Sequence, residues 1–391
     1  MSFKNIKEKV RDWKSQNLWI ARYFEYILLV GLISFSVAFI FKLFNLIYTD
    51  ATSARYMLSA LVQSQAAIVA IVVSLTLIAV QLTASAYSPR VIRIFRNNPD
   101  MWLLLGFYGF SIFYGLLVLK MVRGAEDTSQ IMISNISLEA YISGVYALGI
   151  STFVILFPYM WNIINLLKPE NIINRLASDI TKDAILNSED PLQPIMDIVH
   201  GSIMKYDLDT TRVGLTTLTR RVIEIIDSDI EEKISMRFCE EHLRQAGRLA
   251  ARGMEDDELT IMVIDSLEIF GVSTAEKRLK HATNKVAWVL EEVGGVAAEK
   301  GKLLEKAVWQ AAKSLVEVGR IAAMKKGLEG ATSQVACSLA KLTISSEEIV
   351  KTAIQDYESD LEEKDRESFQ KFIKLYEQKL EELRAEKKNS E

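Results

Sequence analysis

"SLTLIAVQLTASAYSPR", Ser74–Arg90, reads as a membrane helix, yet Ser74, Thr76, Gln81, Thr83 and Ser85 all carry hydrogen-bonding side chains. It then stops at Ser88-Pro89-Arg90, where proline lacks an N–H and restrains the residue before it, so a helix break is natural. The uncharged run around it reaches from Met57 to Pro89. At about 1.5 Å per residue that is roughly 50 Å, against a hydrocarbon core of roughly 30 Å. Such a helix tilts, bends or projects into water.

The polar side chains fall on two faces. At about 100° per residue, Gln63, Ser74, Gln81 and Ser85 lie within about 40° of one another, joined by Ala67, Ala70 and Ile78. Gln65, Thr76 and Thr83 form a weaker stripe on the opposite side. Lipid does not satisfy polar groups, and leaving one unpaired there costs several kcal/mol. Two readings of the first stripe stay open. It packs against other helices, as small and polar residues do in membranes. Or it lines a water-filled path between several copies of the chain.

Three further stretches have the length and apolarity of a span, giving four at about 26–47, 57–88, 101–120 and 140–167. Pro158 is a kink site in the last. Basic residues Lys4, Lys7, Lys9, Arg11, Lys14 and Arg22 precede the first span, and Arg90, Arg93 and Arg96 follow the second. The positive-inside rule therefore places both termini on the cytoplasmic side of a multi-pass membrane protein. Trp102 and Trp161 suit interfacial anchors. Glu25, Lys42 and Glu139 sit near span ends, where they are solvated or snorkel. The lead-in 1–23 is basic and partly amphipathic, either lying on the membrane surface or simply solvated. It lacks a cleavable signal pattern.

Composition agrees with this division. Half of the 391 residues are apolar and 25% are charged, with a slightly positive mean hydropathy. Most of the apolar excess precedes Lys168 and most of the charge follows it. A net charge of −4 gives no bulk attraction to nucleic acid. Cys239 and Cys337 suggest reduced thiols rather than a disulfide framework.

The residues "IVAIVVSLTLIAVQLTASAYSPRVIRIFRNN", Ile68–Asn98, resemble the signature of a prokaryotic predicted-membrane-protein family known as domain of unknown function twenty-two fifty-four. Ser74, Thr76 and Leu77, then Gln81-Leu82, then Ser88-Pro89-Arg90 carry the likeness. It covers Met57–Leu167 closely and Asn171–Leu215 loosely. The resemblance implies a polytopic inner-membrane protein and supplies no reaction.

From Lys168 the period is helical, so the whole chain is expected to be all-α, with a four-helix transmembrane domain (24–167) and a cytoplasmic helical-repeat domain (168–344). Pro191 and Pro194 mark the strongest break in the second half. "QAGRLAARG", "EVGGVAAEKG" and "EVGRIAAMKKG" repeat, with a fainter "IFGVSTAEK". Their glycines, Gly247, Gly271, Gly294 and Gly319, are about 24 residues apart, so two units approximate a HEAT-like repeat of roughly 40–47 residues. In 345–391, Ser345-Ser346-Glu347-Glu348 forms a capping box. Phe369, Phe372, Tyr376, Leu380 and Leu383 then recur at helical spacing, either packing on the array or pairing with another subunit. The final "RAEKKNSE" reads as frayed.

No phosphate loop, dinucleotide fingerprint or nucleophile elbow occurs. His200, His242 and His281 are scattered. Cys239 and His242 share a helix face but make only two ligands, short of a zinc site. Glu255–Glu258 reads as an acidic helix start rather than a calcium loop. No catalytic residue, metal or cofactor is expected. The expectation is a homo-oligomer in the lipid bilayer acting as an ion channel, with Gln63, Ser74, Gln81 and Ser85 on the path. Arg90, Arg93 and Arg96 stand at its inner mouth or on lipid headgroups, and they tilt the permeant ion towards anions. The helical repeats support or gate it. The alternative is a non-conducting scaffold or sensor whose repeats bind a cytosolic protein partner.

Overall fold

A computed structural model describes residues 18–43, 51–86, 99–123, 132–133, 136–181, 190–226, 232–253 and 257–390. Helices before Lys168 form one compact unit, and those from Pro169 onward form another.

Among its described residues the first unit has four helices: α1 (Leu18–Leu43), α2 (Ala51–Ala86), α3 (Pro99–Arg123) and α4 (Leu138–Leu166). A two-residue antiparallel pair, β1 (Met132–Ile133) with β2 (Ile136–Ser137), leads into α4. Among the described residues, the stretches Thr52–Ser85, Pro99–Val122 and Leu138–Leu166 are long and apolar enough to cross a membrane, and α1 adds a shorter apolar run, Ile27–Val37. The second helix begins at Ala51, a turn and a half before the expected Met57. Its polar start, Thr52-Ser53, suits a helix N-terminus, and Arg55 in the next turn donates to the Val122 carbonyl at 3.0 Å, satisfying an end of α3. Val30, Val72, Leu104, Tyr108, Ile155 and Tyr159 bring all four helices into one core. Ala54, Leu58, Val118, Val122, Ile142 and Val145 form another between α2, α3 and α4. Pro158 lies inside α4, which continues through it.

The second unit is entirely helical among the described residues. It runs α5 (Pro169–Asp179), α6 (Gln193–Met204), α7 (Leu208–Ile225) and α8 (Glu232–Arg237), then a π-helical turn (Phe238–Leu243) into α9 (Arg244–Gly253). It continues with α10 (Asp257–Glu276), α11 (Lys280–Glu299), α12 (Glu305–Met324) and α13 (Glu329–Ser345), ending with α14 (Glu347–Ser359) and α15 (Arg366–Ser390). The packing alternates. Helices α5, α7, α10, α12 and α14 stack successively on one another, and α6, α9, α11, α13 and α15 do the same. These two layers are the arrangement of an α-solenoid.

The glycine register explains the stacking. Gly247 of α9 faces Val293 of α11, and Gly271 of α10 faces Val318 of α12. Gly294 of α11 faces Leu342 of α13, and Gly319 of α12 faces Phe372 of α15. A Cβ at Gly271 would stand 2.8 Å from Val318, so a side chain there would push the layer apart. Polar bonds repeat with the same step. Glu268 accepts from Ser314 at 2.5 Å, 46 residues away, and Glu291 accepts from Ser338 at 2.8 Å, 47 residues away. Arg244 donates to Glu292 at 2.7 Å over 48 residues, and Gln310 donates to Asp265 at 2.8 Å over 45.

The C-terminal segment continues the layers instead of standing apart. Phe369, Phe372 and Tyr376 are buried, and the Tyr376 hydroxyl is 3.0 Å from Thr343 Oγ1. The helix runs on to Ser390 through the stretch expected to fray. The capping box is not made. Ser345 closes α13, and Ser346 is the N-cap of α14 without a side-chain capping bond. Asp257 and Glu258 open α10, as an acidic helix start should, while Glu255 and Asp256 lie outside the described residues.

Two half-buried glutamates carry opposite acid–base consequences. Burial pushes Glu268 up, beyond what the Ser314 bond offsets. Burial also pushes Glu317 up, but bonds from Arg320 and Tyr357 outweigh it and hold this carboxyl below the usual range. Glu317 therefore stabilises above the ordinary carboxylate range and loses that contribution as pH falls. Glu268 stabilises at low pH and loses its contribution as pH rises through its raised value. Thermal unfolding followed across pH should show Glu268→Gln stabilising at neutral pH, with the gain vanishing on acidification. Glu317→Gln should cost roughly 2 kcal/mol at neutral pH by leaving Arg320 and Tyr357 short of a charged partner. A second test of the packing is Gly319→Ala, which should cost about 1–3 kcal/mol by overpacking against Phe372. An unchanged melting temperature would contradict the glycine register.

Candidate functional site

Helix α2 carries the polar residues of the membrane unit on two faces, and the structure assigns them different surroundings. Gln65 is 3% exposed, and Thr76 and Thr83 are also buried. The Gln65 amide donates to Ser111 Oγ at 3.0 Å on α3 and to Thr152 Oγ1 at 3.2 Å on α4. Thr76 Oγ1 meets the Tyr159 hydroxyl at 3.0 Å. On the other side of α4, Ser34 and Ser151 join α1 at 2.9 Å. The close approach of α4 to α2 that the Gln65 bonds require is made at Gly149, where a Cβ would stand 3.0 Å from Leu61 and 3.1 Å from Gln65. The stripe that the sequence ranks second is thus the interhelical glue of one chain.

Gln63, Ser74, Gln81 and Ser85 lie on the opposite face, and all four are exposed on the outside of the bundle. Ala66, Ala67 and Ala70 share this exposed side. The bonds made by these polar groups are local. Ser74 donates to the Ala70 carbonyl at 2.8 Å, Ser85 to Leu82 at 2.9 Å and Gln63 to Ser59 at 3.4 Å. None of those bonds crosses to another helix. Beside them on α2, Ile71, Leu75, Ile78 and Leu82 are exposed aliphatic groups suited to lipid. The outer surface of α2 therefore has a small-and-polar sector next to an aliphatic one.

Several further expectations can be located. Arg90, Arg93 and Arg96 lie outside the described residues, as do residues 1–17 of the lead-in and the side chains of Glu25 and Lys42. Glu139 lies in the first turn of α4, where the helix dipole favours it. Trp102 and Trp161 are both exposed on the bundle surface. Cys239 is fully buried, and burial pushes its thiol up and away from the reactive range. His242 pairs with Asp190 instead of Cys239, at 2.7 Å.

One residue escaped the sequence reading. Asp100 is 2% exposed at the start of α3 and accepts a bond from Asn162 of α4. The span expected from Met101 leaves Asp100 outside it. The clue was the Pro99-Asp100 pair, a proline at the first helical position followed by an acid in the first turn.

Comparison with known proteins fits these features. Residues 16–210 match the sequence model of a family described as "Predicted membrane protein (DUF2254)". Through that segment the chain belongs to this family of predicted membrane proteins. No curated protein and no solved structure matches it.

The two faces of α2 make separable predictions. In the detergent-solubilised monomer, Gln65→Leu and Thr76→Val should each lower resistance to SDS unfolding by about 1 kcal/mol, the scale of interhelical hydrogen bonds in membranes. Gln63→Leu and Gln81→Leu should move it by less than about 0.5 kcal/mol. Equal losses on both faces would mean that the outer stripe also holds the monomer together.

Proposed function

We propose that this protein is an oligomeric, channel-like membrane protein in which α2 lines a path between subunits. Gln63, Ser74, Gln81 and Ser85 face that path. The reading rests on one observation: the internal bonding of the bundle is satisfied by Gln65, Thr76 and Tyr159, yet a second polar stripe faces outward. Ser74 and Ser85 bond back to carbonyls of α2 itself, but the Gln63 and Gln81 amides offer more donors and acceptors than the local bonds use, and facing hydrocarbon they would carry an unpaired polar cost. Water, or a second copy of the same face, removes it. α1 is the fourth span, with Leu28, Leu32 and Phe35 facing lipid. Both termini are cytoplasmic in an inner membrane, as the distribution of basic residues directs. The helical array supports or gates the path.

A scaffold is the second reading, and the extended two-layer array favours it, because such arrays present long binding surfaces. There the spans anchor and associate while the array binds a cytosolic protein.

Ion flux through purified protein in liposomes separates the two. A path predicts flux that Ser74→Leu or Gln81→Leu abolishes or changes in selectivity. It also predicts that cysteines placed at positions 63, 74, 81 and 85 react with water-soluble thiol reagents. Absence of flux with all four cysteines unreactive would remove the channel reading and leave the scaffold.

A further inference from the structure

Two parts of the helical array that are distant in sequence meet at one point. Asp190 stands just before α6, where its Oδ1 accepts the Leu192 N–H at 3.0 Å. His242 lies in the π-helical turn, is 2% exposed, and brings Nε2 to 2.7 Å from Asp190 Oδ2. Glu241, the residue before it, reaches the same place from the solvent side. One ligand atom each from Asp190, Glu241 and His242 lies within 4.8 Å of the others. Single π-turns inside α-helices recur at functional sites, and this one sets two consecutive donors at a common point.

The local charge already matches a bound cation. Arg237 places its guanidinium 2.8 Å from Glu241 and 3.9 Å from Asp190, so positive charge is held where the two carboxylates converge. A third group points the same way. On α6, the Nε2 of His200 is wholly buried and has no hydrogen-bond partner among the described residues.

We infer that Asp190, Glu241 and His242 form a site for a divalent transition cation of the Zn²⁺ or Mn²⁺ type. Mixed imidazole and carboxylate donors suit such ions better than Mg²⁺ or Ca²⁺, which favour all-oxygen sets. The arriving cation takes the place of the Arg237 guanidinium, which swings into solvent. Three protein donors leave further positions for water, and His200 is the neighbouring imidazole able to orient one. The bound ion would cross-link the lead-in of α6 to the turn that precedes α9, tightening two stacked members of one layer.

The test uses the full chain in detergent, titrated with Zn²⁺ by calorimetry and with Co²⁺ by its visible absorption. The expected result is one saturable site per chain, with a Co²⁺ spectrum typical of nitrogen and oxygen donors. Glu241→Gln, at an exposed position, should weaken binding at least about tenfold without unfolding the protein. Arg237→Gln should tighten it, because the competing cation is gone. His242→Gln should abolish it, and if that variant fails to fold, the Glu241 and Arg237 variants decide alone. No saturable binding, or binding that neither Glu241→Gln nor Arg237→Gln alters, overturns the site and leaves Asp190–His242 as a structural pair.

Discussion

Hydrocarbon offers no hydrogen bonds, and the membrane unit is organised around that fact. Each polar side chain on α2 has to find a partner inside the protein, in water or on another copy of the chain. The partners inside are few and specific. Gln65 takes Ser111 and Thr152, and Thr76 takes Tyr159. Gly149 lets α2 and α4 come close enough for the first of these to form. With those bonds made, the bundle has no internal place left for Gln63, Ser74, Gln81 and Ser85. They stay on the outer face of α2, with only local bonds among those described.

The second unit solves a different problem with a similar economy of residues. Stacked helices must keep a constant separation over many repeats. Glycine at one position per helix lets the next-but-one helix approach, and a carboxylate one turn earlier then reaches a hydroxyl on it. Glu268 with Ser314 and Glu291 with Ser338 are two copies of that bond in the same register. At the end of the array the pattern changes: Phe372 fills the space over Gly319, while Arg320 is held by Glu317, Tyr357 and Asp365. There a buried ring and an ion cluster take the place of the glycine-to-valine contacts made earlier in the stack.

Much of this was legible in the sequence, for definite reasons. Long apolar runs announce membrane helices because few other structures bury twenty such residues in a row. The glycine spacing announced the array because close approach tolerates no side chain at that point. The two polar stripes of α2 were also visible as angles on a helix. Which of them faced the neighbouring helices was not, because hydropathy treats Gln63 and Gln65 alike and only the positions of Ser111 and Thr152 separate them. Asp100 was missed because a charge was taken as the edge of a span. Whether the C-terminal aromatic face packs on the array or on another subunit stays open in the sequence, because Gly319, which Phe372 covers, lies more than fifty residues earlier. The meeting of Asp190 with His242 had no local signature at all, since fifty-two residues separate them.

The layered array has a mechanical consequence. Each helix touches mainly its near neighbours in the stack, so no single contact sets the overall curvature. A small rotation at each interface adds up along the array, as coils add up in a spring. A push or twist at α5 would then be shared among many shallow distortions instead of breaking one interface. Such a body yields elastically under small forces and recovers its shape, and its stiffness is adjustable at any one of its glycine-lined steps.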